Sequence, residues 1–177
     1  RTGSGVYVLD RSGQNAKGSR AQAQIPPHEW GPLELIRARR VVEGEIAALA
    51  AAQAKRRDTD AMARAIDAMR ADADRNVMRL GGDRAFHTAI VQACGNVVLI
   101  ETVQGFWDSR RGPLFERLGG YFETVDSWRS AITEHEAIHA AIRARDAQAA
   151  RAAMHEHLDK SHSRFSASWR RAKKSGS

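Results

Sequence analysis

The chain has one cysteine, four prolines and no apolar stretch approaching the length of a membrane span. A single thiol, Cys94, excludes an intramolecular disulfide and fits a reducing compartment, so a cytoplasmic location is expected. By periodicity Cys94 is a small core residue. Crossing a bilayer takes roughly 20 consecutive apolar residues, and neither such a run nor a signal peptide is visible. Three of the prolines, Pro26, Pro27 and Pro32, crowd into one short region, which leaves only Pro113 to interrupt a helix further on. There is no initiator methionine before Arg1, which suggests a fragment or a processed chain. No internal repeat is evident. What remains is 177 residues rich in Ala and Arg, enough for one soluble helical domain.

The body of the chain also lacks a basic excess. The net charge of +7 divides unevenly: residues 1–32 carry four basic and two acidic groups, residues 163–177 five basic and none acidic, and residues 33–162 nineteen of each. The middle is therefore neutral and offers no basic stripe of the kind that tracks phosphates. The terminal run Trp169, Arg170, Arg171, Lys173 and Lys174 reads as a helix end whose cations suit the helix dipole.

Turn residues divide the chain. RTGSGVYVLD alternates Val6 and Val8 after small turn residues and reads as a short strand leaving a hairpin over residues 1–10. Residues 11–32, rich in Gly, Ser, Gln and Pro, read as a linker. Helices follow from about Leu33 to Arg57, then to about Asp74 with Asp58 and Thr59 as caps, then from Val77 to Cys94 ending at Gly95. Asn96 is expected to cap a fourth, running through Trp107 to about Leu118 with a kink near Pro113. Gly119 and Gly120 break it, and two long helices run from about Thr124 to Arg145 and from Asp146 to about Arg171. A basic tail closes the chain at 172–177. The fold class is all-α: an antiparallel bundle of about six or seven helices with a cavity between them.

Against this background one carboxylate and three imidazoles fall where a core should be. Leu80, Asp83, His87, Ile90 and Cys94 recur at steps of three or four, so Asp83 and His87 share the inward face one turn apart. His135 sits among Trp128, Ile132, Ile138 and Ile142. His157 sits with Ala150, Met154, Leu158, Ser161 and Phe165. His155 and His162 fall instead with Arg151 and Asp159 on a charged, solvated face. One histidine on an apolar face is commonly a hydrogen-bonded core residue. Four such groups left unpaired would cost about 1 to 3 kcal/mol each, whereas neutral imidazoles plus one carboxylate form a good shell for a divalent metal, zinc first, with nickel and manganese as alternatives. Arg39 breaks the stripe of Leu35, Val42, Ile46, Leu49 and Ala52. It calls for an anion, either Glu43 one turn on or the carboxylate of a bound small acid. Arg110, close after Trp107, is a second candidate.

Three stretches, ELIRARRVVEGEIAALAA, DRAFHTAIVQACGNVVLIE and EHEAIHAAIRARDAQAARAAMHEHL, resemble in order the signature of FCD domains. These are the effector-binding domains of FadR-type regulators in the GntR family of bacterial transcription factors. The resemblance covers about residues 33–165. It implies that Asp83, His87, His135 and His157 coordinate a divalent cation and that Arg39 faces the effector, with Trp107 and Arg110 as further effector-binding candidates. RTGSGVYVLD looks like the last strand of a winged helix-turn-helix wing, the rest of that DNA-binding domain being missing from this sequence. FWDSRRGPLFERL followed by SWRSAITEHEAI is similar to the branch that senses hexuronates. The resemblance thus implies a homodimeric regulator in which metal and a small carboxylate, such as a sugar acid, control operator DNA binding through the missing winged helix. The effector's carboxylate and a hydroxyl would replace water on the metal while Arg39 and Arg110 neutralise charge.

The alternative from another class is a metal-dependent enzyme acting on a small carboxylic acid. It lacks an obvious inward general base, because Glu134 and Glu136 flank His135 and are expected to point away from its face. A metal used only as a fold staple, and a plain dimerisation module, are the remaining readings.

Overall fold

The computed structural model describes residues 30–77, 79–110 and 124–175, the last eight of these by backbone alone. The expected wing strand at 1–10, nearly all of the linker, the Pro113 kink, the Gly119–Gly120 break and the end of the basic tail lie outside those residues. Within them the chain is all helical, as expected, and no strand occurs. Six helices follow one another: α1 (Pro32–Gln53), α2 (Arg56–Asp74), α3 (Leu80–Ala93), α4 (Val97–Ser109), α5 (Val125–Arg143) and α6 (Ala147–Ser175).

The helix ends follow from local chemistry. Pro32 stands in the first turn of α1, where its missing N–H costs nothing. The Asn96 side chain accepts from the N–H groups of Val98 and Leu99 at 3.0 and 3.3 Å and so caps α4 as expected. Thr124 Oγ1 accepts from Ser127 N at 3.1 Å to start α5, and Asp146 Oδ1 accepts from Ala149 N at 2.9 Å to start α6. Between α5 and α6, Arg145 adopts φ 58°, with its N–H on Ile142 O and that of Asp146 on Ala141 O, both at 3.1 Å. This left-handed cap reverses the chain within three residues. The side chain of Arg145 then donates to Ala52 O and Ala54 O at 3.2 and 3.0 Å, closing the free carbonyl end of α1.

Several expected boundaries and inward positions differ in the structure. The first helix ends at Gln53, not Arg57, and Asp58 is not the cap of α2 but lies in its first turn, reaching back to accept from Lys55 N at 2.8 Å. The third helix begins at Leu80 rather than Val77, and the fourth ends at Ser109, short of Leu118. Leu49 and Ala52 were placed on the inward stripe of α1, yet both are exposed, Leu49 at 46%. Leu80, at the very start of α3, is also exposed. Cys94 is half-buried and fits its expected place beside the core, where its thiol faces Ile46 O at 3.4 Å.

α1 packs along α6, α2 is wedged against α3 and α5, and α5 lies on α6. Phe86, Ile46, Met62, Met69, Ile90, Ile138, Ile142, Met154 and Leu158 are fully buried between them. Burying each such side chain contributes about 1.5 to 3 kcal/mol. Gly82 permits the α2–α3 approach, since a Cβ there would meet Met69 Cγ at 2.6 Å. At one level of the bundle the apolar layer gives way to a cluster of charged and imidazole side chains. There Arg39, Glu43, Asp83, His87, Glu134, His135 and His157 are all buried.

Candidate metal centre

The four donors read from the sequence come together. Asp83 and His87 from α3, His135 from α5 and His157 from α6 each bring one ligand atom into a group in which all atoms lie within 4.8 Å of one another. His87 Nε2, His135 Nε2 and Asp83 Oδ1 form a nearly equilateral triangle with sides of 3.3 Å. The rings of His135 and His157 pack with centroids 4.4 Å apart.

The outer ring atoms are engaged behind the cluster. His87 Nδ1 is hydrogen-bonded to Glu43 Oε2. His157 Nδ1 donates to Glu134 Oε2 at 2.8 Å. With their protons held on Nδ1, both imidazoles turn Nε2 lone pairs inward. Backing of this kind is how proteins fix the tautomer of histidines that ligate metals. Each glutamate is held in turn by an arginine. Arg39 Nε donates to Glu43 Oε1 at 2.6 Å, and Arg164 Nη1 and Nη2 reach Glu134 Oε1 and Oε2 at 2.8 and 3.0 Å.

The electrostatics agree with a cation site. Burial opposes ionisation of Asp83, but the adjacent His135 and His87 outweigh it and hold the carboxyl well below its ordinary range. Burial likewise opposes ionisation of Glu43, and the Arg39 and His87 charges overcome it. Burial next to His135 pushes His157 down to about 3, and burial lowers His135 as well. Only His87 moves up: burial lowers it, but the neighbouring Glu43 charge prevails. The cluster thus gathers ionised carboxylates with two imidazoles, His135 and His157, that resist protonation, as a divalent ion requires of its ligands, while a proton on His87 would have to leave when an ion binds.

Two buried polar atoms at the cluster, Asp83 Oδ1 and His135 Nδ1, are left without hydrogen-bond partners among the described residues. An orphaned carboxylate oxygen at the centre of three inward imidazoles costs free energy unless a cation meets it. Three histidine nitrogens and one carboxylate oxygen match the donor preferences of zinc and its first-row neighbours. The residues present therefore fit such an ion.

A cavity of about 50 Å³ opens beside the cluster, lined by Arg39, Asp83, Arg110, Trp128, His135, His157 and Arg164 among others. Arg39 is inward, as expected, and it uses Glu43 as its partner. Arg110 Nη1 stands 3.4 Å from Asp83 Oδ2. Trp107 is buried beneath both arginines, whose guanidinium carbons lie 4.7 and 4.4 Å from its ring centroid. It acts as a cation–π platform and does not line the cavity.

Sequence reasoning missed two participants. Glu134, expected to point away, is buried against His157. Its position one residue before His135 turns it roughly 100° around α5, toward α6, and its length does the rest. Arg164, on α6 two turns beyond His157, was not singled out. The period of seven residues that places it beneath His157 was the available signal. Glu134 is bonded to both Arg164 and His157, so it is not a free general base.

The family model described as the FCD domain matches residues 34–160. The chain belongs to the FCD family. Across 163 residues, this FCD domain is 34% identical to the Uxu operon transcriptional regulator of Escherichia coli (strain K12), covering 90% of the chain and 62% of that relative. It is 29% identical over 162 residues to the Exu regulon transcriptional regulator of the same strain, covering 90% of the chain and 60% of the relative. Among solved structures it resembles E. coli McbR/YncC, with a TM-score of 0.68 at 20% identity, over 77% of this chain and 64% of that one. That likeness supports the helical fold alone. The chain spans somewhat under two thirds of the length of these curated relatives. FCD domains belong to GntR-type regulators, and the relatives are named as transcription regulators rather than enzymes, which sets aside the metalloenzyme reading. No described helix is long and apolar enough to cross a membrane.

Proposed function

We propose that this FCD domain senses a small carboxylate at a divalent metal centre and passes the signal to operator DNA through a winged helix outside this sequence. Asp83, His87, His135 and His157 hold the ion, zinc first among the candidates, with nickel and manganese as alternatives. The ion, when bound, supplies Lewis acidity toward the carboxylate and hydroxyl oxygens of the effector. The chain's own residues do the rest. Arg39 and Arg110, stacked on Trp107, present positive charge at the cavity wall, and Trp128 and Phe165 exclude water from it. The observation that carries the reading is the orphaned Asp83 Oδ1 amid three inward imidazoles.

Charge supports an anionic effector. Arg39, Arg110 and Arg164 already balance Glu43, Asp83 and Glu134, so a divalent ion leaves a buried excess of positive charge that an anion offsets. The names of the Uxu and Exu relatives favour a hexuronate or a closely related sugar acid. A cavity of about 50 Å³ has room for one or two waters and not for a six-carbon acid. Effector binding therefore separates α5 and α6 from α1 and α4 around the cavity, and this movement is the differential interaction that a regulatory signal needs. The parent works in the cytoplasm as a homodimer whose two heads read a palindromic operator.

A thermal-shift series with glucuronate, galacturonate and short dicarboxylates, each with and without chelator, tests the reading. A rise in melting temperature for a sugar acid that vanishes with chelator is expected; equal response with and without chelator overturns the metal's part in it.

A further inference from the structure

Glu134 holds two donors on one oxygen. Its Oε2 accepts from His157 Nδ1 at 2.8 Å and from Arg164 Nη2 at 3.0 Å, while Oε1 takes Arg164 Nη1 at 2.8 Å. The two donors therefore compete for the same negative charge. The parallel arrangement on α1, where Glu43 joins Arg39 to His87, is sealed, with both side chains at 4% exposure or less. Arg164 is different. It is 27% exposed and lines both the inner cavity and a second, open groove of about 470 Å³ between α5 and α6. Glu134 and His157 also reach that groove, together with Ser130, Thr133 and Lys160. One donor histidine of the cluster can thus be approached from behind, through its hydrogen-bonding partner.

We propose that Glu134 is a positioning residue that raises the donor strength of His157 toward a divalent ion, and that Arg164 opposes it by drawing charge from the shared Oε2. The proposal rests on the reading of Asp83, His87, His135 and His157 as metal ligands. A carboxylate behind a ligating imidazole fixes the tautomer and increases its donation. A guanidinium in bidentate contact with the same carboxylate engages that charge with a second pair of donors and lessens what reaches the ring. Glu134 and Arg164 therefore act with opposite sign, and Arg164 acts only through Glu134. An anion in the groove that recruits Arg164 would tighten the metal centre without touching it.

The test is the affinity for Zn2+, measured by competition with a chelating indicator, in the wild-type chain, Glu134→Gln, Arg164→Gln and the double variant. Glutamine keeps an oxygen that accepts from His157 but removes the charge. Glu134→Gln is expected to weaken zinc binding about 10- to 100-fold. Arg164→Gln is expected to strengthen it several-fold, and in the double variant the Arg164 change should have no further effect. In parallel, 15N NMR of the histidine rings should show His157 protonated on Nδ1 in both wild type and Glu134→Gln, a signature that loosened packing would erase. Unchanged affinity in Glu134→Gln, weakening in Arg164→Gln, or an Arg164 effect that survives in the double variant each overturns the proposal while leaving the metal site standing. Absence of zinc binding by the wild type overturns both.

Discussion

His87 Nε2 and His135 Nε2 face each other at 3.3 Å in the buried centre of the bundle. In neutral His87 the Glu43 contact holds the proton on Nδ1, so Nε2 turns its lone pair toward His135, and Asp83 Oδ1 completes the triangle. Three electron-rich atoms at this spacing repel one another in a medium of low dielectric. A divalent ion turns that repulsion into coordination, and the first prediction follows. His135→Ala or His157→Ala should abolish the rise in melting temperature that Zn2+ produces in the wild type, measured by differential scanning fluorimetry. An undiminished zinc response in either variant would remove that histidine from the ligand set.

Arg39 gives a second prediction. It is 3% exposed, and its bond to Glu43 leaves that carboxylate buried without its charge partner when the arginine is removed. Arg39→Ala should lower stability by about 3 to 5 kcal/mol, read from urea unfolding of the chelator-treated protein. An Arg39→Ala variant as stable as the wild type would mean that Glu43 does not depend on Arg39.

Gly82 supplies a third. It precedes Asp83, and a methyl there would press on Met69 Cγ at 2.6 Å and on Ala65 O at 3.3 Å. Gly82→Ala should cost about 1 to 3 kcal/mol by overpacking and should weaken zinc binding by displacing Asp83. Gly81→Ala, with open space at the same level of the helix, is the control and should leave zinc affinity unchanged. A Gly82 variant as stable as wild type would show that α2 and α3 do not approach so closely.

The Cys94 thiol provides a dependence on pH. Burial pushes it up to about 11, with a hydrogen bond involving Gln53 opposing in part. The thiolate is the reactive form, so iodoacetamide labelling of the folded chain should be slow at pH 8 and rise about tenfold per pH unit until near 11. Because the folded state holds this proton more tightly than the unfolded state, stability should fall as pH rises from about 9 toward 11. Labelling at pH 8 as fast in the folded as in the urea-unfolded chain would contradict the burial.

Several features of this molecule were legible in the sequence because helical periodicity is a rule about faces. Asp83, His87, His135 and His157 each lie on an apolar stripe, and stripes must turn inward. The same rule misplaced Leu49, because it counts positions on a helix and not the neighbours that cover them. The end of α1 at Gln53 left no mark in ALAAAQAKRR, which holds neither Gly nor Pro. That end is set by Arg145, 91 residues away from Ala54, donating to the last carbonyls. Glu134 escaped for a related reason. It sits at the edge of the inward face of α5, and only the approach of α6 with His157 and Arg164 makes it part of the site.

Elemental analysis of the chain purified without chelator and then equilibrated with a stoichiometric mixture of zinc, nickel and manganese tests the central claim most directly. About one tightly held divalent ion per chain, absent from His157→Ala, is the predicted result. No retained ion in the wild type, or equal retention in the variant, would contradict it.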